Sequence, residues 1–170
     1  LCPFAGACKR TCLNTAGRGG LPMASYAAGP YRNNVEFGRY RRTDLYHADR
    51  AEFIRRLLSD LRRLAAAAAD HGLQPAARLN GTSDIDYESE SPEVIASATA
   101  AGIRLYDYTK RMRRFNPRGA VFYVYSLDVG AARERHAIEY LRAGGNVAIV
   151  FDVPKGQPLP SGFVVPGVAT

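Results

Sequence analysis

The chain has 170 residues, 46% hydrophobic and 23% charged. That length and composition suit one globular domain able to bury a core without disulfides or a structural metal, and they exclude a disordered tail or a fibre. Twenty-three Lys and Arg against 16 Asp and Glu leave a net charge of +7, so a polyanionic partner, a nucleotide or single-stranded nucleic acid, is the expectation. No apolar run approaches the ~20 residues of a membrane span, and no basic-then-apolar leader is visible. Neither membrane insertion nor an uncut signal peptide is expected. Leu1 in place of Met and an ending at Thr170 without a clear element boundary lead us to expect a piece of a longer chain.

The first twelve residues hold all three cysteines, Cys2, Cys8 and Cys12, spaced C-x5-C-x3-C. An odd count cannot pair off completely, which weighs against a disulfide framework. Thiolates gathered in a loop containing Gly and Pro form a soft donor set, suited to zinc or an iron–sulfur cluster rather than calcium or magnesium. Zinc would want a fourth ligand, and His47, His71 and His136 stand at no finger-like spacing. Three cysteines without a fourth suit a [4Fe–4S] cluster with one iron left open. Residues 1–42 show no sustained period and carry the Gly-rich run from Gly17 to Gly20. They are read as a Cys- and Gly-rich ligand loop, with residues 43–170 forming the β/α core of the same single domain.

From Asp44 or Asp49 onward the pattern turns helical, with Phe53, Leu57, Leu58, Leu61 and Leu64 at three- and four-residue steps and an end at Asp70-His71-Gly72. Ala76–Asn80 is a short strand followed by Gly81-Thr82-Ser83-Asp84. Ser91-Pro92-Glu93 supplies an N-cap and a first-turn Pro for a helix ending at Gly102. Ile103–Tyr108 is the next strand. After the basic turn Lys110-Arg111-Met112-Arg113-Arg114, Ala120–Leu127 is a third strand, Ala131–Arg142 a helix, and Val147–Asp152 a fourth strand. Val164-Val165 is a possible last one. Strand–helix alternation of this kind predicts a parallel sheet with right-handed connections, hence an α/β fold, either a partial (β/α) barrel or an open parallel sheet.

In either architecture ligands gather at the carboxyl ends of the strands. The residues predicted there are Asn80, Asp84, Asp107, Thr109, Lys110, Ser126, Asp128 and Asp152, a polar rim. Each has an ordinary alternative as a helix cap, a turn hydroxyl or a solvated charge. Two Arg clusters, Tyr31 to Arg42 and Lys110 to Arg114, interleave with Tyr31, Phe37, Tyr40, Tyr46 and Phe115 and suit phosphate contact with base stacking, or else a plain solvated surface. No Ser-His-Asp order or close carboxylate pair supports a hydrolase.

Three segments taken together carry a resemblance: Cys2-Pro3-Phe4-Ala5-Gly6-Ala7-Cys8 through Cys12-Leu13-Asn14, then Arg78-Leu79-Asn80-Gly81-Thr82-Ser83-Asp84, then Leu105-Tyr106-Asp107-Tyr108-Thr109-Lys110. The chain resembles the phage gene-product-eighty-eight family over most of residues 1–153. It is more distantly similar to radical S-adenosylmethionine enzymes, which join a three-cysteine cluster loop to a partial parallel barrel. The resemblance implies a [4Fe–4S] cluster on Cys2, Cys8 and Cys12, with zinc as the alternative. It also implies S-adenosylmethionine at Asn80, Ser83 and Asp84, with Lys110 beside them, and a place in the cytoplasm of a bacterial host. The spacing departs from the C-x3-C-x2-C usual in those enzymes.

Overall fold

Among the described residues four short strands and five helices follow one another: α1 (Asn34–Ala48), α2 (Arg50–Asp70), β1 (Ala76–Arg78), α3 (Tyr87–Glu90), α4 (Pro92–Ala100), β2 (Arg104–Thr109), β3 (Val121–Ser126), α5 (Ala131–Arg142) and β4 (Asn146–Ala148). The computed structural model describes residues 34–111, 114, 116, 119–127, 131–151, 153–154 and 156–161. The cysteine loop, Arg113, Phe115, Asp128, Asp152 and the Val164-Val165 strand candidate lie outside the described residues.

All three strand pairings are parallel, and the order is β1-β2-β3-β4. The expected parallel α/β sheet is therefore present, in its open form among the described residues. Strand order follows chain order with no reversal, unlike a doubly wound sheet, where ligands collect at the reversal point. Burial alternates along β2, with Leu105, Asp107 and Thr109 inside, and along β3, with Val121, Tyr123 and Tyr125 inside. Ile54 and Leu61 of α2, Val94, Ile95 and Ala98 of α4, and Ala137 and Tyr140 of α5 join the core that these inward residues of β2 and β3 build. Hence α2, α4 and α5 cover one face of the sheet.

The helices form for local reasons. Ile54, Leu61 and Ala68 are the buried positions of α2, seven residues apart and so on one stripe. The Asp49 side chain accepts the Glu52 N–H at its start, and Gly72 takes φ +63° just past its end, where a Cβ would clash with its own backbone. Two readings change. Residues 34–42 are helical, inside the segment read as a ligand loop; α1 buries no residue, so it leaves no apolar stripe in the sequence to announce it. Ser91 precedes Pro92 as expected, yet its side chain makes no cap hydrogen bond. Its Oγ instead accepts from Arg50 at 3.3 Å. Arg50 also donates to the Glu90 carboxylate at 3.0 Å, and Tyr46 Oη donates to it at 2.7 Å, tying α1 and α2 to the end of α3.

Candidate functional site

Asn80 stands two residues past β1, where the chain leaves the sheet, and is 1% exposed. Its amide has two donor hydrogens and two acceptor lone pairs, and all four are used. Nδ2 donates to Ile85 O at 2.9 Å and to Asp107 Oδ2 at 2.7 Å. Oδ1 accepts from Ser83 Oγ at 2.7 Å and from the Ile85 N–H at 3.0 Å. Asn80 thus folds the loop from 80 to 85 around itself and fastens it to β2. Asn80→Ala would leave the half-buried Ile85 backbone groups without these partners and take one hydrogen bond from the buried Asp107 carboxylate. Chemical denaturation is expected to show a loss of about 2–3 kcal/mol.

That loop delivers Asp84 to the carboxyl end of β2. Asp84 Oδ1 accepts from Thr109 Oγ1 at 3.2 Å and from Arg114 Nη1 at 2.7 Å, and its carbonyl accepts from Arg114 Nη2 at 2.8 Å. Both side chains of the pair are 3% exposed. The second carboxylate oxygen, Oδ2, is buried without a hydrogen bond among the described residues, with Arg111 Nε at 3.9 Å. Arg114 is therefore not part of a solvated or phosphate-contacting basic surface, as its run of neighbours suggested. It is a buried counter-ion, because Asp84 could not be buried as a charge without one.

Asp107 is the second interior carboxylate. Burial pushes its carboxyl up from the ordinary range, against the opposite pull of the Asn80 amide, the Tyr108 N–H and the Arg78 guanidinium. Arg78 Nε lies 3.6 Å from Asp107 Oδ1 and makes no hydrogen bond among the described residues. Its Nη2 donates to Gly81 O at 3.1 Å, and its guanidinium stacks 4.5 Å over the Tyr108 ring. Lys110 Nζ donates to the Ser126 carbonyl at 3.1 Å, joining the ends of β2 and β3. Tyr123 Oη donates to Glu88 at 3.0 Å, and its burial, with Glu88 beside it, holds the phenol firmly protonated.

Asn80, Ser83 and Asp107 thus form one hydrogen-bonded set at the carboxyl edge and Asp84, Thr109 and Arg114 a second, the two carried by the same loop and by β2, with Lys110 at the end of that strand. The arrangement sets each buried carboxylate against its own guanidiniums, Asp107 against Arg78 and Asp84 against Arg111 and Arg114. Sequence reading gave Arg78 no role of its own and gave Arg114 a surface role, since nothing in either segment tells which arginine turns inward. It also passed over the opposite face of the sheet, where the alternation Arg104-Leu105-Tyr106-Asp107-Tyr108-Thr109 turns Arg104, Tyr106 and Tyr108 outward. Of the histidines weighed as ligands, His47 sits edge-on to Tyr46 in α1 and His71 closes the end of α2. Among the described residues no group of three or more His, Cys, Asp or Glu is placed to hold a metal ion, and no helix is long and apolar enough to cross a membrane.

The carboxyl-edge network is built from the same segments, 78–84 and 105–110, that carried the phage resemblance, and the family model described as Gene product 88 matches residues 1–169. The chain belongs to the Gene product 88 family. No curated protein and no solved structure matches it. In this member of the family the Arg78-to-Asp84 segment runs from the end of β1 into a self-organised loop, and the segment from Leu105 to Lys110 covers most of β2, the inner strand that anchors it.

Proposed function

We propose that this Gene product 88 protein is an iron–sulfur protein of the radical S-adenosylmethionine type, working in the host cytoplasm on a nucleotide or nucleic-acid-linked substrate. The observation that carries the reading is the donor set: three thiols at C-x5-C-x3-C and no other cysteine in 170 residues. This set holds three irons of a cubane and leaves the fourth open. Cys2, Cys8 and Cys12 would hold the cluster. Bound there with S-adenosylmethionine, it supplies one-electron reduction that starts radical chemistry. A parallel sheet whose carboxyl edge carries polar side chains supports the reading, because ligands of parallel α/β sheets gather at that edge.

Within it the described residues divide their work. Asn80, with every hydrogen-bonding position taken, and Asp84, neutralised by Arg114, hold the loop. Ser83 and Lys110, both only partly buried, are the groups available to a ligand's polar ends. Asp84 Oδ2 and Arg78 Nε, buried without a hydrogen bond among the described residues, support a ligand or ordered water at this edge, since buried polar groups rarely go unsatisfied. A second reading, a nucleic-acid-binding phage protein in which zinc or a cluster only orders the loop, is favoured by the arginine stacked on Tyr108. Anaerobic purification separates the two: the enzyme reading expects brown protein with about four irons and four labile sulfides per chain. Stoichiometric zinc without sulfide would overturn it.

A further inference from the structure

We propose that the face of the sheet that no described helix covers is a single-stranded nucleic-acid platform, on which Tyr106, Tyr108 and Phe122 stack bases while Arg78 and Arg104 meet the backbone. The inference rests on the nucleotide-linked reading above and narrows it to a polymer held flat on the sheet. Parallel sheets are ordinarily covered on both faces. Here Tyr106, Tyr108 and Phe122 are 40%, 37% and 56% exposed, a large aromatic expanse to leave toward water. Strand register assembles them. Arg78 pairs with Tyr106, and Tyr106 with Phe122, so a cation and two rings form one row across β1, β2 and β3. Tyr108 follows two residues along the same strand, about 6.6 Å away, a step that lets successive splayed bases meet successive rings.

Charge fits the same occupant. Arg78 already lies over the Tyr108 ring, so a base arriving there meets a ring backed by a cation. Arg104 is exposed at the start of β2, and the whole chain carries +7. Between Arg104, Tyr106, Phe122, Asn116, Gly144 and Gly145 opens a cleft of about 590 Å³ at the amino edge. It lies away from the carboxyl-edge network, and it is wide enough for a base with its sugar and phosphate at the end of the strand's path. A duplex offers such a face little, because its bases are already stacked on one another. Sheets that present two or three aromatics to unpaired bases are an established recognition mode.

Fluorescence anisotropy with a fluorescein-labelled oligothymidylate of about 12 nucleotides, its uridylate counterpart, and a hairpin duplex tests the idea on the whole chain. Both single strands should bind, the duplex far more weakly, and affinity should fall as salt rises. The Tyr106→Ala/Phe122→Ala protein should lose at least about tenfold in Kd, while Tyr106→Phe, which keeps the ring, should bind as the parent does. Arg104→Ala should weaken every sequence alike and flatten the salt slope by about one unit. If the double alanine protein fails to fold by far-UV circular dichroism, Phe122→Leu decides, since it keeps the bulk and removes the π face. Unchanged affinity in a folded ring-deleted variant, equal binding of the duplex, or no binding at low salt would each overturn the platform. Iron measured on the same samples keeps the two proposals apart. Binding without iron removes the enzyme reading and leaves the platform, and iron without binding does the reverse.

Discussion

Replacing Asp84 by Ala should cost about 3–5 kcal/mol of folding free energy, and lower Tm by roughly 10 °C for a chain of this size. The pair it breaks is almost wholly out of water, both side chains being 3% exposed. Without the carboxylate, the Arg114 guanidinium keeps the Asp84 carbonyl as an acceptor, but the nearest acid left to it is Asp86, 3.9 Å from Nε. Water cannot easily replace the lost partner at that depth, so the cost is that of an uncompensated buried charge rather than of one hydrogen bond. Asp84→Asn should recover little, because the shape returns without the charge. Asp84→Leu combined with Arg114→Met should recover most of the loss, as apolar replacement of buried ion pairs commonly does. Urea unfolding of the parent, Asp84→Leu, Arg114→Met and the two combined forms a double-mutant cycle that isolates the pair. A loss below about 1 kcal/mol for Asp84→Ala would mean that the pair is hydrated in solution.

The sequence made the sheet legible because its strands and helices each carried the period that burial requires. Leu105 and Tyr123 alternate with outward residues, and Ile54 and Leu61 repeat at helical spacing. Ala131–Arg142 was bounded to the residue, its end marked by Gly144, which takes φ +85°. Strand ends came out too long: Ala76–Asn80 stops pairing at Arg78, since Asn80 turns its backbone N–H and its amide toward Asp107 instead of extending the ladder. The helix α1 was invisible because it buries nothing, and α3 because four residues carry no period. At the site, the positions Asn80, Asp84, Asp107 and Thr109 followed from the rule that strand ends collect polar groups, and Ser83 from the resemblance. Their division into loop-holding and ligand-facing groups did not. Whether a buried acid is a reactive group or one half of an ion pair depends on which distant residue the fold brings against it. For Asp84 that residue is Arg114, thirty positions on, and a run of arginines gives no hint which one turns inward.

If the proposed cluster is bound, changing any one of Cys2, Cys8 and Cys12 to Ser should abolish it altogether, dropping iron from about four per chain to a trace, while the far-UV spectrum stays that of the parent. A serine hydroxyl is a hard, weakly acidic oxygen and a poor substitute for thiolate on iron. Two remaining cysteines cannot hold a cubane that already lacks its fourth protein ligand. The fold should survive because the buried core runs from Ile54 to Tyr140 through α2, α3, α4, α5, β2 and β3, without a cysteine in it. Labile iron and sulfide assays on anaerobically prepared variants, with visible absorbance and thermal melts on the same samples, provide the check. Retention of iron in one variant would remove that cysteine from the ligand set. Collapse of helicity in all three would instead make the loop a structural staple, as in a zinc site. The histidines decide between metals: if zinc were held by three thiolates and an imidazole, one of His47→Ala, His71→Ala and His136→Ala would release it. An iron cluster with an open position should keep its iron in all three.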